Sequence, residues 1–415
     1  MVETVLEIAV DVAQAAVGAG AQLTNVRQAE ELLEEETAFL ARAGMAEFGQ
    51  VEAWTFAGSN HALAYSTHGA FRYFGKFPPP VARRLIEEYT VPGDQVVDLM
   101  AGSGTTGVEC LLMGRRALLN DVNPLSELIA RVKTTRLTQG DGELALERVM
   151  TLAAIVTAGN FSPVGLRDYE HWFLPATIDS LRRLRRAIKE ETPGPVQDYL
   201  WVCFASIVRR VSRATTQQGR LFLDVVTAQG DALPHFEKAA RTLLRMVEDL
   251  PVGEISVTCE DVRQMCPSGV TPLVILHPPY FNAYKYTSVN SLEMSWLGLP
   301  IKDTRPREIR EFFKVGKPEN VSAYIHDMTE VMRSAATWLA PGGVMGMMIG
   351  DTAMKGEHIR VTRPLLDETA NFFDVEKVIL RVPKYTEASW AASQRRTAGN
   401  LGAKMFDYVI VLRKK

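Results

Sequence analysis

At 415 residues the chain exceeds one average domain, so a core domain carrying a large insertion is the starting expectation. Its residues are 47% hydrophobic and 23% charged, which suits an ordinary globular core, and a net charge of −3 excludes a global basic field acting on nucleic acid. The spacing of Cys110, Cys203, Cys259 and Cys266 fits neither a zinc site nor a disulfide framework, no apolar run approaches the roughly 20 residues of a membrane span, and Glu3, Glu7 and Asp11 rule out a secretory signal, so the expectation is a cytoplasmic, metal-free protein with reduced thiols.

In chain order, residues 1–45 read as helix, with Val5, Ile8, Val12, Ala29, Leu32 and Leu33 at helical spacing and a break at Gly18-Ala19-Gly20. The run from Glu30 to Glu36 reads as a solvated face. A helix from Val81 to Tyr89 leads through Pro92-Gly93 into a strand at Val96-Val97, and a second strand follows at Ala117–Leu119. Residues 137–250 look mostly helical and are far too long for a crossover, so they read as an inserted subdomain. Within it Leu181, Leu184 and Ile188 share one face; Arg182, Arg183, Arg185, Arg186 and Lys189 face outward, either solvated or toward phosphates. Arg209, Arg210, Arg213 and Arg220, around Ser212, Thr215 and Thr216, form a second candidate phosphate-contacting patch. Further strands are expected at Ile255–Thr258, Leu273–Leu276, Val344–Ile349, Val375–Leu380 and Phe406–Leu412, the last two as an antiparallel hairpin. Seven strands result. Between those two, Arg381–Asn400 interleaves Lys384, Tyr385, Trp390, Arg395 and Arg396, a pattern suited to facing nucleic acid or to a plain surface connection.

The informative stretch is Asp98-Leu-Met-Ala101-Gly102-Ser103-Gly104-Thr105-Thr106, between a strand and a helix. Gly102 and Gly104 tolerate positive φ and let a ligand approach backbone that a Cβ would cover. Such loops at the carboxyl ends of parallel strands are where open α/β sheets bind nucleotide-like ligands. After the second strand, Asp121 in Asn120-Asp121-Val122-Asn123 is placed to accept hydrogen bonds from ribose hydroxyls. His277-Pro278-Pro279-Tyr280 comes after a further strand; its two prolines fix the backbone into a rigid shelf that ends in an aromatic ring suited to stacking on a flat base.

Together these motifs resemble the amino-group DNA methyltransferases, which make N6-methyladenine or N4-methylcytosine. The glycine loop is similar to their Asp-Pro-Phe-x-Gly-Ser-Gly-Thr-Thr, and the tetrapeptide to their Asp/Ser-Pro-Pro-Tyr. Thr67 to Pro79 resembles the segment that closes over the methyl donor. The stretches from Phe281 to Tyr286 and from Leu292 to Gly298 are similar to the sequence downstream of the tetrapeptide in many members. The resemblance implies a Rossmann-like α/β sheet of seven strands (a class I methyltransferase), with an N-terminal helical extension (1–64), a donor-binding half (65–136), the helical insertion (137–250) and a catalytic half (251–415). It implies S-adenosylmethionine as cofactor, contacted by Lys76, Phe77, Asp98, Ala101, Gly102, Ser103, Gly104, Thr105, Asp121, Asn123 and Asp261. The base would be held by His277, the Pro278 carbonyl, Pro279 and Tyr280, beside Asn282 and Tyr286, with DNA gripped by Arg209, Arg210, Arg213, Arg395 and Arg396.

His277 departs from the family pattern. It is a working substitute acceptor, a mark of a different substrate such as an RNA amino group, or the sign of a degenerate copy that still binds DNA. RNA is the runner-up substrate because Pro-Pro-Tyr also occurs in tRNA-guanine N2 methylating enzymes. The base, the recognition sequence and a restriction partner stay open at this level.

Overall fold

The computed structural model describes residues 23–56, 62–166, 168–217, 220–224, 230–281, 285–309, 318–354, 357–382 and 406–415. Nine strands form its main sheet: β1 Leu23–Gln28, β2 Gln50–Phe56, β3 Gln95–Asp98, β4 Arg116–Asn120, β5 Ile255–Thr258, β6 Thr271–Leu276, β7 Leu339–Ile349, β8 Phe373–Val382 and β9 Asp407–Lys414. Their spatial order is β1-β2-β8-β9-β7-β6-β3-β4-β5. β9 runs antiparallel to both neighbours and β1 antiparallel to β2; the other pairings are parallel.

Seven of these, β3 to β9, are the expected strands, with β8 and β9 as the expected antiparallel pair. The other two correct the sequence reading. β1 lies where helix was expected, and only Glu34–Ala43 of residues 23–45 is α-helical. β2 extends the sheet by pairing with β8 from Gln50↔Lys377 to Thr55↔Val382. Glu36 is also not solvated: it is fully buried, paired with Arg27 at 2.5 Å, and accepts the Leu33 N–H at 2.9 Å.

The sheet is covered on both faces, which is why its central strands read as continuous apolar runs. Val97, Val274 and Met345 meet the helices Glu34–Ala43, Pro318–Trp338 and Thr362–Thr369 through Phe39, Met328 and Leu365. Val96, Leu273 and Val344 meet the helices Pro79–Tyr89 and Thr105–Leu112 through Leu85 and Cys110. Alternation along each strand assigns neighbours to opposite layers.

The insertion is helical as expected, with helices Gln139–Ile155, Pro175–Lys189, Pro195–Val208 and Ala232–Glu248. Leu146, Leu181, Leu184, Phe204 and Leu243 share a core with Trp296 of the helix Ser291–Leu297, so the insertion packs directly onto the segment after the Pro-Pro-Tyr turn. Arg186 and Lys189 are exposed, as the solvated reading expects, but three arginines of that face depart from both readings. Arg185 is buried, donates to the Trp296 carbonyl at 2.9 Å and lies 3.5 Å from the Phe161 ring centre. Arg182 donates to the Phe161 carbonyl and Arg183 to that of Ala153. They pin connecting backbone to the bundle. Among the described residues no helix is long and apolar enough to cross a membrane.

Candidate active site

Three parallel strands end side by side, and their carboxyl termini open on one cleft. From β3 the chain turns through the glycine loop into the helix Thr105–Leu112. Gly102 has φ +51° and Gly104 φ +76°. A Cβ on Gly102 would stand 3.1 Å from the Tyr73 ring, and one on Gly104 would stand 2.9 Å from the backbone of Ala130. The loop is held by Ala101 N–H donating to the Asn120 carbonyl and Gly104 N–H to the Ala101 carbonyl, both at 2.8 Å. Beneath it the buried Lys133 ammonium donates to the Ser103 carbonyl at 2.7 Å, and burial holds that lysine well below its ordinary range. Ala101, Gly102 and Ser103 line the cleft; Gly104 and Thr105 sit behind the wall as its support.

Asp98 is buried at the end of β3. It accepts from Met100 N–H at 3.1 Å and from the Thr106 hydroxyl at 2.5 Å, yet burial pushes its carboxyl up to about 7. Asp121, at the end of β4, accepts from the backbone N–H groups of Gly102 and Asn123 at 2.9 Å each, and burial raises it to about 6. Two amide donors leave lone pairs on its oxygens for further hydroxyl donors. Asn123 caps the helix Pro124–Lys133 through its side-chain oxygen, and its amide nitrogen is buried at the cleft with no partner among the described residues. Asp261 lines the same wall after β5. Burial works against its ionisation, but the Arg263 guanidinium, bidentate at 2.8 and 2.6 Å, wins and holds it below the usual carboxylate range.

At the other end of the cleft stand His277, Pro279 and Tyr280, after β6. The His277 ring lies 5.1 Å from that of Phe77 and 5.5 Å from that of Tyr280, perpendicular to the latter. Pro278 is buried behind them. The Tyr324 hydroxyl donates to the Pro279 carbonyl at 2.9 Å, and Tyr280 packs against Gly350 at the end of β7. Tyr286 stacks on Tyr73 with ring centres 5.9 Å apart, and Tyr73 in turn covers Gly102. Lys76 donates to the His68 carbonyl, and burial lowers its ammonium to about 8.

The segment that carries Lys76 and Phe77 is latched to the glycine-loop helix. The fully buried Glu109 carboxylate accepts from the Tyr65 hydroxyl at 2.5 Å and from His68 Nε2 at 2.7 Å. Burial lowers His68 to about 4, so the ring is neutral near pH 7 and donates through Nε2–H. Glu109, Lys133 and Tyr324 were not singled out from sequence, since nothing in their local pattern separates them from ordinary helix or loop residues, whereas Tyr73 lies in the Thr67–Pro79 segment without having been named for itself.

The structure divides the expected substrate-gripping residues. Arg209 is turned inward: its guanidinium is bidentate on Glu293 at 2.8 and 2.9 Å and also donates to the Val289 carbonyl, a structural clamp in place of the expected phosphate contact. Arg210 is exposed and Arg213 half-buried. Asn282, Arg395 and Arg396 lie outside the described residues, as do Lys384, Tyr385 and Trp390.

A family profile described as DNA methylase matches residues 22–130, which include the closing segment, the glycine loop and Asp121. The Type II methyltransferase M.BsoBI of Geobacillus stearothermophilus is 25% identical over 284 residues, covering 59% of this chain and 55% of that protein. The Type II methyltransferase M.MvaI of Kocuria varians is 28% identical over 303 residues, covering 65% of each. The Type II methyltransferase M.MjaII of Methanocaldococcus jannaschii is 39% identical over 66 residues, 16% of this chain and 12% of that protein. This chain thus spans between half and two thirds of the lengths of the first two relatives. Residues 22–130 are thus similar to the DNA methylase family, and the chain more widely to these Type II methyltransferases.

Proposed function

We propose that this chain is an S-adenosylmethionine-dependent methyltransferase acting on the exocyclic amino group of adenine or cytosine in DNA. The observation that carries the reading is the convergence of the glycine loop, Asp121 and the His277–Tyr280 turn on one cleft, at the carboxyl ends of β3, β4 and β6. The pocket suits the donor. Gly102 leaves bare backbone on the wall, where a side chain would collide with Tyr73, and the orphaned Asn123 amide nitrogen faces the same space. Asp121 would take the ribose hydroxyls, Asp98 the cationic end, and Lys76 and Phe77 would cover the donor from above. When bound, S-adenosylmethionine supplies an electrophilic methyl group.

A base amino nitrogen is a weak nucleophile because its lone pair is delocalised into the ring, so positioning and proton acceptance carry the catalysis. Tyr280 would stack on the flipped base, while the Pro278 carbonyl and His277 accept the two amino hydrogens. Neutral imidazole accepts through one nitrogen and takes up the proton that the methylated nitrogen must lose.

The test is transfer of labelled methyl to unmethylated genomic DNA and, in parallel, to total RNA, followed by digestion to nucleosides, with His277→Ala and Tyr280→Ala as controls. N6-methyladenine or N4-methylcytosine in DNA is the expected product. Label confined to RNA, or its absence from both, sinks the reading.

A further inference from the structure

Two neighbouring strands of the main sheet end in acids that line the cleft, Asp121 after β4 and Asp261 after β5. Paired strands lie about 4.8 Å apart. A donor whose ribose hydroxyls meet Asp121 therefore carries its base one strand further, toward Asp261. Val122 and Val262, next in sequence to the two acids, also line the cleft and offer apolar surface to a flat ring.

The hydrogen bonding of Asp261 is largely taken up by one residue. Its Oδ1 accepts from the Arg263 backbone N–H at 3.0 Å and from Arg263 Nε at 2.8 Å, and its Oδ2 accepts from a terminal guanidinium nitrogen at 2.6 Å. A carboxylate oxygen has about two lone pairs, so these contacts fill Oδ1 and leave one acceptor position on Oδ2. Arg263 stands behind the cleft wall and is itself held from two further sides. The same terminal nitrogen donates to the Arg307 carbonyl at 3.0 Å, and the other lies 3.7 Å from the Asp327 carboxylate. Asp327 is buried on the helix Pro318–Trp338, three residues along from Tyr324. Two carboxylates and a carbonyl thus fix the guanidinium, and the guanidinium fixes Asp261.

An ionised carboxylate accepts hydrogen bonds and donates none. It favours a 6-amino purine, which offers an N–H, over a 6-oxo purine, whose oxygen would face its lone pair. We propose that Arg263 is a positioning residue that aims the remaining Oδ2 lone pair into the cleft and so makes the donor site selective for a 6-amino purine. The proposal rests on the reading of this cleft as the S-adenosylmethionine site.

The test is calorimetric titration of the full chain with S-adenosylhomocysteine and with its 6-oxo analogue, S-inosylhomocysteine, for wild type, Arg263→Ala, Arg263→Lys and Asp327→Asn. Wild type is expected to favour the amino ligand roughly 10- to 100-fold, the scale of a hydrogen bond to a charged acceptor. Arg263→Ala is expected to cut that ratio roughly five- to tenfold by releasing the carboxylate. Arg263→Lys should recover part of it, since an ammonium restores the charge but not the planar fork. Asp327→Asn, one step further from the ligand, should lower the ratio by less than Arg263→Ala. General loss of structure weakens both ligands alike and leaves the ratio where it was, so the ratio separates positioning from scaffolding. A ratio unchanged or raised in Arg263→Ala overturns this proposal alone, as does a wild type that binds both ligands equally. Should Arg263→Ala be too unstable to titrate, a wild-type ratio in Arg263→Lys overturns it instead. A wild type that binds neither ligand overturns the donor-site reading as well.

Discussion

The Tyr324 hydroxyl, on the helix Pro318–Trp338, donates to the carbonyl of Pro279 at 2.9 Å. That one bond ties the second proline of the His277–Tyr280 turn to this helix, and both residues line the cleft. Tyr324 is 2% exposed and its ring packs edge-on against Phe281, so the anchor itself is held rigidly.

Tyr324→Phe removes the donor and keeps the packing. A net hydrogen bond contributes about 1 kcal/mol, so kcat should fall roughly three- to tenfold while the KM for the donor stays put. Steady-state kinetics in both substrates checks this, and an equal rise in both KM values with kcat intact would contradict it.

Glu109 gathers Tyr65 and His68 onto the glycine-loop helix. Glu109→Ala leaves those buried groups without their acceptor, a loss of about 1–3 kcal/mol in stability. Because the latch holds the covering segment, S-adenosylhomocysteine binding should weaken roughly tenfold or more, with Glu109→Gln intermediate. Calorimetric titration and urea unfolding together separate the two effects.

Asp98 and Asp121 are both pushed up by burial, to about 7 and about 6. The folded free protein therefore binds protons more tightly than the unfolded chain. Their contribution to stability is full below about pH 4 and is lost as pH rises through 6 to 7. Asp98→Asn should flatten this fall between pH 5 and 7.5 in urea unfolding of the free protein. A cationic donor favours the ionised carboxylates, so its binding should tighten with rising pH and release protons near pH 6, measurable by calorimetry in buffers of different ionisation enthalpy.

Arg209 and Arg210 are neighbours with opposite fates. Arg209 and Glu293 form a nearly buried pair, so Arg209→Ala strands a carboxylate and should cost about 3–5 kcal/mol of stability, seen as a lowered Tm. Arg210→Ala should leave Tm within a degree or two and reduce the slope of log affinity for DNA against log salt by about one. A normal Tm for Arg209→Ala would show that its clamp is dispensable.

Much of the site was readable because its chemistry is local. The positive φ of Gly102 and Gly104 and the paired prolines after β6 leave marks in a few consecutive residues, and β3 to β9 announce themselves as apolar runs between turns. What the chain could not state locally was partnership. The helix read across residues 1–45 masked β1, and β2 exists because it finds β8, from the far end of the sequence. Basic helix faces look the same whether they meet phosphate or carbonyl oxygens; Arg185 and Arg209 became structural only when Trp296 and Glu293 arrived beside them. Likewise Tyr324 was defined by the turn it reaches. Local backbone preference is encoded residue by residue, whereas the partner of a buried polar group is chosen by tertiary packing.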